Sequence, residues 1–416
     1  RPYLPGVEIL VSARRDYLYG PLFAHTIGYV GEISEAELAR EGEFGPYRPG
    51  SLVGKSGLER VLEADLRGVD GGTQVEVDAY GRILRELGSL PGSPGASVTL
   101  TIDLDLQQAM AEAYEGREGA AVALDPRNGE ILAMYSAPSF DPAVFLRVLR
   151  PEEWAALSGD PHKPLENKAM RGEYPPGSVF KIVTALAGFQ TGALDVNRGV
   201  HCSGALHFGG RRFGCWRKGG HGGVDFIASL ARSCDVYYYT LGLKIGVNAI
   251  ADTARALGLG RATGVDLPGE REGNIPTREW KKRRFGEPWY DGETLPVAIG
   301  QGYVTATPLQ IAVMGAAVAN GGTVYAPHLV RETADPSGED VRRIAPKAMS
   351  RLRVDEKAIH LVHEALRAVV NEPGGTGSRA KLPGVQVAGK TGTAQVVGLR
   401  REEGKPAPKI EDIPYE

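Results

Sequence analysis

The stretch Pro175-Pro176-Gly177-Ser178-Val179-Phe180-Lys181-Ile182-Val183-Thr184-Ala185-Leu186 decides how the rest of the chain is read. Two prolines and a glycine end whatever precedes them. Apolar residues then recur at helical spacing through Phe180, Val183 and Ala187 toward Leu194. A helix therefore starts near Gly177. Positions i and i+3 share a face, so Ser178 and Lys181 sit side by side at its first turn. A serine hydroxyl is a weak nucleophile without a base. A lysine held out of water can lose its proton and supply that base. The helix N-terminus adds free N–H groups and positive potential for a developing oxyanion. Alone, Ser-x-x-Lys is also a common surface pattern, so it needs company.

Downstream, Ser233-Cys234-Asp235 supplies two further polar side chains, although Ser or Asp at such a place can also be a helix N-cap. Near the C-terminal end, Lys390-Thr391-Gly392-Thr393-Ala394 closes the apolar run Val385 to Gly389, which predicts a strand. Its plain reading is a strand edge with an exposed lysine. Gly392 adds something, because glycine in a strand lets another backbone come close. A substrate peptide could lie there as an added strand.

Farther out, Ala120 to Leu124, the turn chemistry of Asp125-Pro126-Arg127-Asn128-Gly129, and Ile131 to Tyr135 predict a hairpin. Before it come a strand over Val98 to Ile102 and a helix over Asp105 to Tyr114. A helix-rich middle covers 225–258 and 305–320, and a long helix covers Asp355 to Val370. Strands at both ends with helices between predict an α+β domain whose terminal strands pair in one antiparallel sheet. Val75-Glu76-Val77-Asp78 alternates like a half-buried strand, followed by a turn at Gly81. The run Gly88-Ser89-Leu90-Pro91-Gly92-Ser93-Pro94-Gly95 reads as a linker. The division is placed there, with an N-terminal domain over 1–92 and a larger domain over 93–416.

The 416 residues suit two or three domains, and 42% hydrophobic content allows a large core. A net charge of −3 argues against a nucleic-acid binder driven by phosphate contacts. The 56 glycines and 28 prolines follow no period and read as frequent turns. No apolar run reaches the length of a membrane span, and the first residues do not resemble a signal peptide.

The three motifs, taken together and in this order, match the Ser-x-x-Lys, Ser-x-Asn and Lys-Thr-Gly set of penicillin-binding proteins and serine β-lactamases. Asp235 stands where the general pattern has Asn, which resembles the penicillin-binding protein 2 branch. Gly54-Lys55-Ser56-Gly57-Leu58-Glu59, Ala24 to Gly31 and Asp78-Ala79-Tyr80-Gly81-Arg82 resemble the non-catalytic pedestal of class B members. Asp125-Pro126 through Pro138 resembles the first hairpin of their catalytic domain. Pro276 to Trp280, Gly292-Glu293-Thr294, Ile299 to Gly302 and Ala306 to Gln310 are similar to the elongation-specific type. The resemblance spans nearly the whole chain. It implies a β-lactamase-like transpeptidase domain with a central antiparallel sheet flanked by helices, standing on a β-rich pedestal.

That resemblance implies the following roles. Ser178 attacks the terminal D-Ala-D-Ala bond of a peptidoglycan stem peptide, or a β-lactam, and forms an acyl-enzyme. Lys181 takes the hydroxyl proton, Ser233 relays a proton to the leaving amine, and Asp235 orients substrate or Lys181. Lys390 supplies positive charge, while Thr391, Gly392 and Thr393 bind the substrate. The N–H groups of Ser178 and Thr393 form the oxyanion hole. Catalysis needs no cofactor. The resemblance also implies the extracytoplasmic face of the inner membrane, an N-terminal anchoring helix absent from this chain, further structure beyond Thr393, and a SEDS-type glycan-polymerising partner. A serine β-lactamase and a β-lactam sensor share the fold and remain alternatives.

All three cysteines fall in one stretch, and Cys202, Cys215, His221 and Cys234 form a Cys-x12-Cys-x5-His-x12-Cys series. Thiolates and imidazole in a set of four suit a tetrahedral structural zinc site. A Cys202–Cys215 disulfide and free buried thiols are the competing readings. His207 is a spare candidate ligand, read rather as a surface residue. A metal there would pin the loop carrying Ser233 and Asp235, so its removal should slow acylation by penicillin. An unchanged rate after verified removal would break that coupling.

Overall fold

The computed structural model describes residues 14–39 and 47–393. In the N-terminal part, Val30–Glu32 pairs antiparallel with Leu52–Gly54. Ala24, Ile33, Val53 and Leu58 are buried in this part, and Leu58 joins the main apolar core. A longer hairpin pairs Gly72–Val77 with Ile83–Leu90. Its turn follows from local chemistry: Asp78 Oδ1 accepts from the N–H groups of Tyr80 and Arg82, both at 2.9 Å.

Two expectations change here. The run from Gly88 to Gly95 is not free linker, since residues 88–90 complete a strand and Ser93 exchanges both backbone hydrogen bonds with Val69. Turn-forming residues can still accept a ladder where a neighbour supplies it. The half-burial expected for Val75 to Asp78 holds at Val75, Glu76 and Asp78 but not at Val77, which is exposed, and the partner strand is exposed along its whole length.

The larger part begins with Ser97–Leu100, which pairs with Val330–Ala334, itself paired with Val341–Arg343. Leu104–Ala113 follows as a helix, capped by the Asp103 side chain accepting from Leu106 N–H. The expected hairpin pairs Gly119–Leu124 with Ile131–Ala137. Asp125 shapes its turn by accepting from the Arg127 N–H at 2.9 Å.

Helix Lys181–Gln190 is buried on every side from Lys181 to Gly188, as its apolar composition requires. Against it pack Asp235–Ile245, Val247–Ala256 and Glu356–Asn371, and Phe226–Ala231 packs on the last of these, with the Phe226 ring edge-on to Phe189. Helix Glu356–Asn371 is amphipathic, burying Ala358, Ile359, Val362, Ala365, Leu366 and Val369 at helical spacing.

The expected strand over Val385 to Gly389 does not form a ladder among the described residues. Only a single bridge, Leu382 to Val385, occurs there. The first strand of the larger part therefore pairs with Val330–Ala334 rather than with this segment. A strand exists only through its partner, and no described residue offers 386–393 one.

Candidate active site

Ser178 is the second residue of the 3-10 turn Gly177–Phe180, which runs directly into helix Lys181–Gln190. A 3-10 turn has three residues per turn, so positions 178 and 181 nearly eclipse. At the second position of such a turn the backbone N–H has no intrahelical acceptor. Two glycines let the surroundings close on this turn. Gly177 has φ +53°, and a Cβ there would lie 2.4 Å from the Thr393 carbonyl oxygen. Gly300 has φ +72°, and its Cβ would lie 2.3 Å from the Gly177 carbonyl. Gly177 N–H donates to the Gly300 carbonyl at 2.9 Å.

Lys181 is fully buried, and its Nζ has three acceptors: Asp235 Oδ1 at 2.6 Å, the Ser233 carbonyl at 2.9 Å and Ser233 Oγ at 3.1 Å. Three acceptors match the three N–H bonds of an ammonium. The Tyr238 ring lies beneath, 5.7 Å from Nζ.

Ser233 forms the corner between helices Phe226–Ala231 and Asp235–Ile245. Its φ is +52°, a left-handed conformation that costs a non-glycine residue about 1–3 kcal/mol. The corner is held by Ser233 N–H to the Leu230 carbonyl and Cys234 N–H to the Ser229 carbonyl. Ser233 Oγ accepts from Lys181 Nζ and, at 2.9 Å, from Lys390 Nζ. Both lone pairs are then taken, so the hydroxyl hydrogen is left to point elsewhere.

Asp235 does not cap its helix. One carboxylate oxygen faces Lys181, and the other accepts from the Trp216 backbone N–H at 3.0 Å. Lys390 also donates to the Thr391 carbonyl at 3.0 Å. Burial, then the neighbouring Lys181 charge, push its pKa down to about 7, with Asp235 opposing. Thr391 Oγ1 lies 2.8 Å from Thr376 Oγ1. Gly392 packs on the nucleophile turn: a Cβ there would lie 2.9 Å from a Val179 methyl and 3.2 Å from the Pro176 carbonyl. Its small size thus serves contact with this turn. Thr393 is exposed beside Gly177. Ala394 lies outside the described residues.

The donor atoms of Cys202, Cys215, His221 and Cys234 all lie within 4.8 Å of one another, and all four residues are buried. Strand pairing of Val200–Cys202 with Gly222–Val224 brings Cys202 beside His221. The Sγ to Nδ1 separations are 3.6 Å for Cys202 and 3.5 Å for Cys215. A tetrahedral zinc with Zn–S near 2.3 Å and Zn–N near 2.05 Å requires a sulfur–nitrogen edge of about 3.5 Å. The residues therefore fit the metal. None of the three cysteines is in a disulfide. The Cys234 side chain hydrogen-bonds Cys215, which pushes the Cys215 thiol down and Cys234 up. His207 is exposed on strand Ala205–Phe208, outside this group.

Trp216 and Thr376 escaped the sequence reading, as did the steric need for glycine at 177. The only signals were Trp216's place beside Cys215 and the Gly374-Gly375-Thr376-Gly377 loop.

Residues 119–409 match the family model of the penicillin binding protein transpeptidase domain, and residues 1–100 match that of the penicillin-binding protein dimerisation domain. Peptidoglycan D,D-transpeptidase MrdA of Escherichia coli (strain K12) is 38% identical over 413 residues, 98% of this chain and 65% of that protein. The chain thus spans 65% of the length of that curated relative. The structure of penicillin-binding protein 2 from Pseudomonas aeruginosa in complex with WCK 5153 superposes with TM-score 0.80 at 34% identity, covering 92% of this chain and 80% of the other. Penicillin-binding protein 2 from Helicobacter pylori, in complex with MreC, gives TM-score 0.82 at 31% identity, covering 92% and 69%.

Proposed function

The chain belongs to the penicillin-binding proteins with a transpeptidase domain, and we propose that it is a peptidoglycan D,D-transpeptidase of cell-wall elongation and rod-shape maintenance. The observation that carries this reading is the convergence of Lys181 and Lys390 on one hydroxyl, Ser233 Oγ, behind the Ser178 turn. In this reading Lys181 enters the step as its neutral amine: Ser178 Oγ attacks the carbonyl of the terminal D-Ala-D-Ala bond, and its proton passes to Lys181. The three acceptors around Lys181 Nζ satisfy the ammonium so formed. The N–H groups of Ser178 and Thr393 hold the oxyanion, each worth roughly 3–4 kcal/mol of barrier. The C–N bond then breaks, and the leaving amine receives a proton through the Ser233 hydroxyl. An amine of a second stem peptide attacks the ester, gives up a proton, and regenerates Ser178. Thr391, Gly392 and Thr393 line the substrate side, and Asp235 holds Lys181 in place. β-Lactams enter the same first step.

The pedestal covers 1–92 and the transpeptidase unit 93–416. We place the protein on the extracytoplasmic face of the inner membrane, beside a SEDS-type polymerising partner. The exposed hairpin bearing Tyr80, Ile83, Leu84, Leu87 and Leu90 offers such partners an apolar surface. A complex with MreC is known for the Helicobacter pylori relative. Cys202, Cys215, His221 and Cys234 would hold a structural zinc, which would tie the 202–221 excursion to the Ser233 corner. No catalytic step passes through it.

Intact mass spectrometry after benzylpenicillin treatment tests the reading. The expected result is a long-lived adduct that is absent in Ser178→Ala. No adduct, an adduct retained in the variant, or one rapidly lost by hydrolysis would overturn it.

A further inference from the structure

We propose that Trp216 is a positioning residue for acyl transfer, holding Ser233 and Asp235 in their working geometry from the solvent side; this rests on the acyl-transfer reading above. Ser233 needs an external hold, because φ +52° is a conformation serine does not keep by itself. Lys181 grips it from the interior through the carbonyl and Oγ. Trp216 supplies the opposite grip. Its indole Nε1 donates to the Ser233 carbonyl at 3.1 Å and the Arg232 carbonyl at 3.0 Å. Its backbone N–H donates to Asp235 Oδ2. One residue therefore fixes both groups that Lys181 touches.

The rest of the ring makes a merely structural role less fitting. Trp216 is 56% exposed, so it fills little of the core. Its buried contact is an edge-to-face approach to His221, with ring centroids 5.4 Å apart. What the ring adds beyond that contact is one N–H, aimed at the corner that bears the relay hydroxyl. Phenylalanine keeps an aromatic ring and the backbone N–H and removes that donor, at the cost of part of the exposed indole surface.

The test compares Trp216→Phe and Trp216→Ala with the parent protein. It uses a fluorescent penicillin and separates the pre-covalent dissociation constant from the first-order acylation constant. For Trp216→Phe the acylation constant should fall roughly tenfold, the size expected for a lost donor to a strained catalytic corner. The dissociation constant and thermal midpoint should stay near those of the parent. Trp216→Ala should fall little further. Parent-like acylation by Trp216→Phe would overturn the inference. So would a loss matched by a collapsed thermal midpoint or by weaker pre-covalent binding alone. If the parent itself forms no Ser178 adduct, the acyl-transfer reading fails first, and that outcome is read directly from its mass spectrum.

Discussion

The two lysines that meet at Ser233 Oγ come from very different parts of the molecule. Lys181 rises from a helix buried on all sides, and its ammonium position is enclosed by Asp235, Ser233 and the Tyr238 ring. Lys390 rides on a segment with no strand partner among the described residues. That segment is tied by Gly389 N–H to the Leu366 carbonyl, by Asn371 Nδ2 to the Val387 carbonyl, and by the Thr376–Thr391 contact. One arm is preorganised by burial and an ion pair. The other is placed by a few hydrogen bonds and by glycines that leave room for it. The proposed chemistry at Ser233 uses both, so the interior arm should carry stability and the outer arm should carry adjustment.

The largest effect should come from cutting the interior arm. Lys181→Met should slow acylation roughly 10²–10⁴-fold, the range for loss of a positioned proton acceptor. It should also destabilise the fold by about 3–5 kcal/mol, because it leaves the largely buried Asp235 carboxylate without its cation. Urea unfolding of this variant beside Lys390→Met gives the contrast. Equal stability losses for the two would erase the distinction between the arms.

A smaller effect should follow from displacing the outer arm. Gly177→Ala places a Cβ where the Thr393 carbonyl now sits. The terminal segment must retreat, and a shift near 1 Å can cost roughly 10²-fold in rate. Acylation of this variant at the parental rate would show that the segment's position does not matter.

The mildest intervention is a change of pH, read as a stability slope. The folded Lys390 pKa is pushed down to about 7, below its ordinary value of 10.5. Between those pH values the unfolded chain binds more protons than the folded one, so this group makes stability rise with pH there. Below pH 7 the lysine is charged in both states and its burial penalty is complete. The thermal midpoint of the parent, relative to Lys390→Met, should therefore climb from pH 7 toward pH 10. A flat difference across that window would show that Lys390 is not desolvated.

Local chemistry made much of the architecture legible. The hairpin at 119–137 follows from Asp125 and Gly129, and the long helix at 356–371 from its amphipathic spacing. The buried helix behind Ser178 follows from apolar residues at helical spacing. The Gly88 to Gly95 run misled because turn residues reveal a willingness to bend, whereas the ladder that recruits them comes from 69–74. The segment 385–389 misled for the opposite reason: its composition suits a strand, but strand formation needs a partner, and among the described residues it has only the Leu382–Val385 bridge.

By itself the sequence determined the candidate groups and their order: Ser178 and Lys181 one turn apart, Ser233 and Asp235 across Cys234, and Lys390 before Gly392. It also placed residue types able to hold a metal at 202, 215, 221 and 234. Only the tertiary structure decided that Asp235 pairs with Lys181 instead of capping a helix. It likewise set Ser233 in a left-handed corner and brought Trp216 against it. It drew three thiols and an imidazole together from across the stretch 202–234. The physical reason is range. Helix spacing and turn chemistry are set by neighbours a few residues away, while a hydrogen bond of about 3 Å between distant segments depends on how whole elements pack.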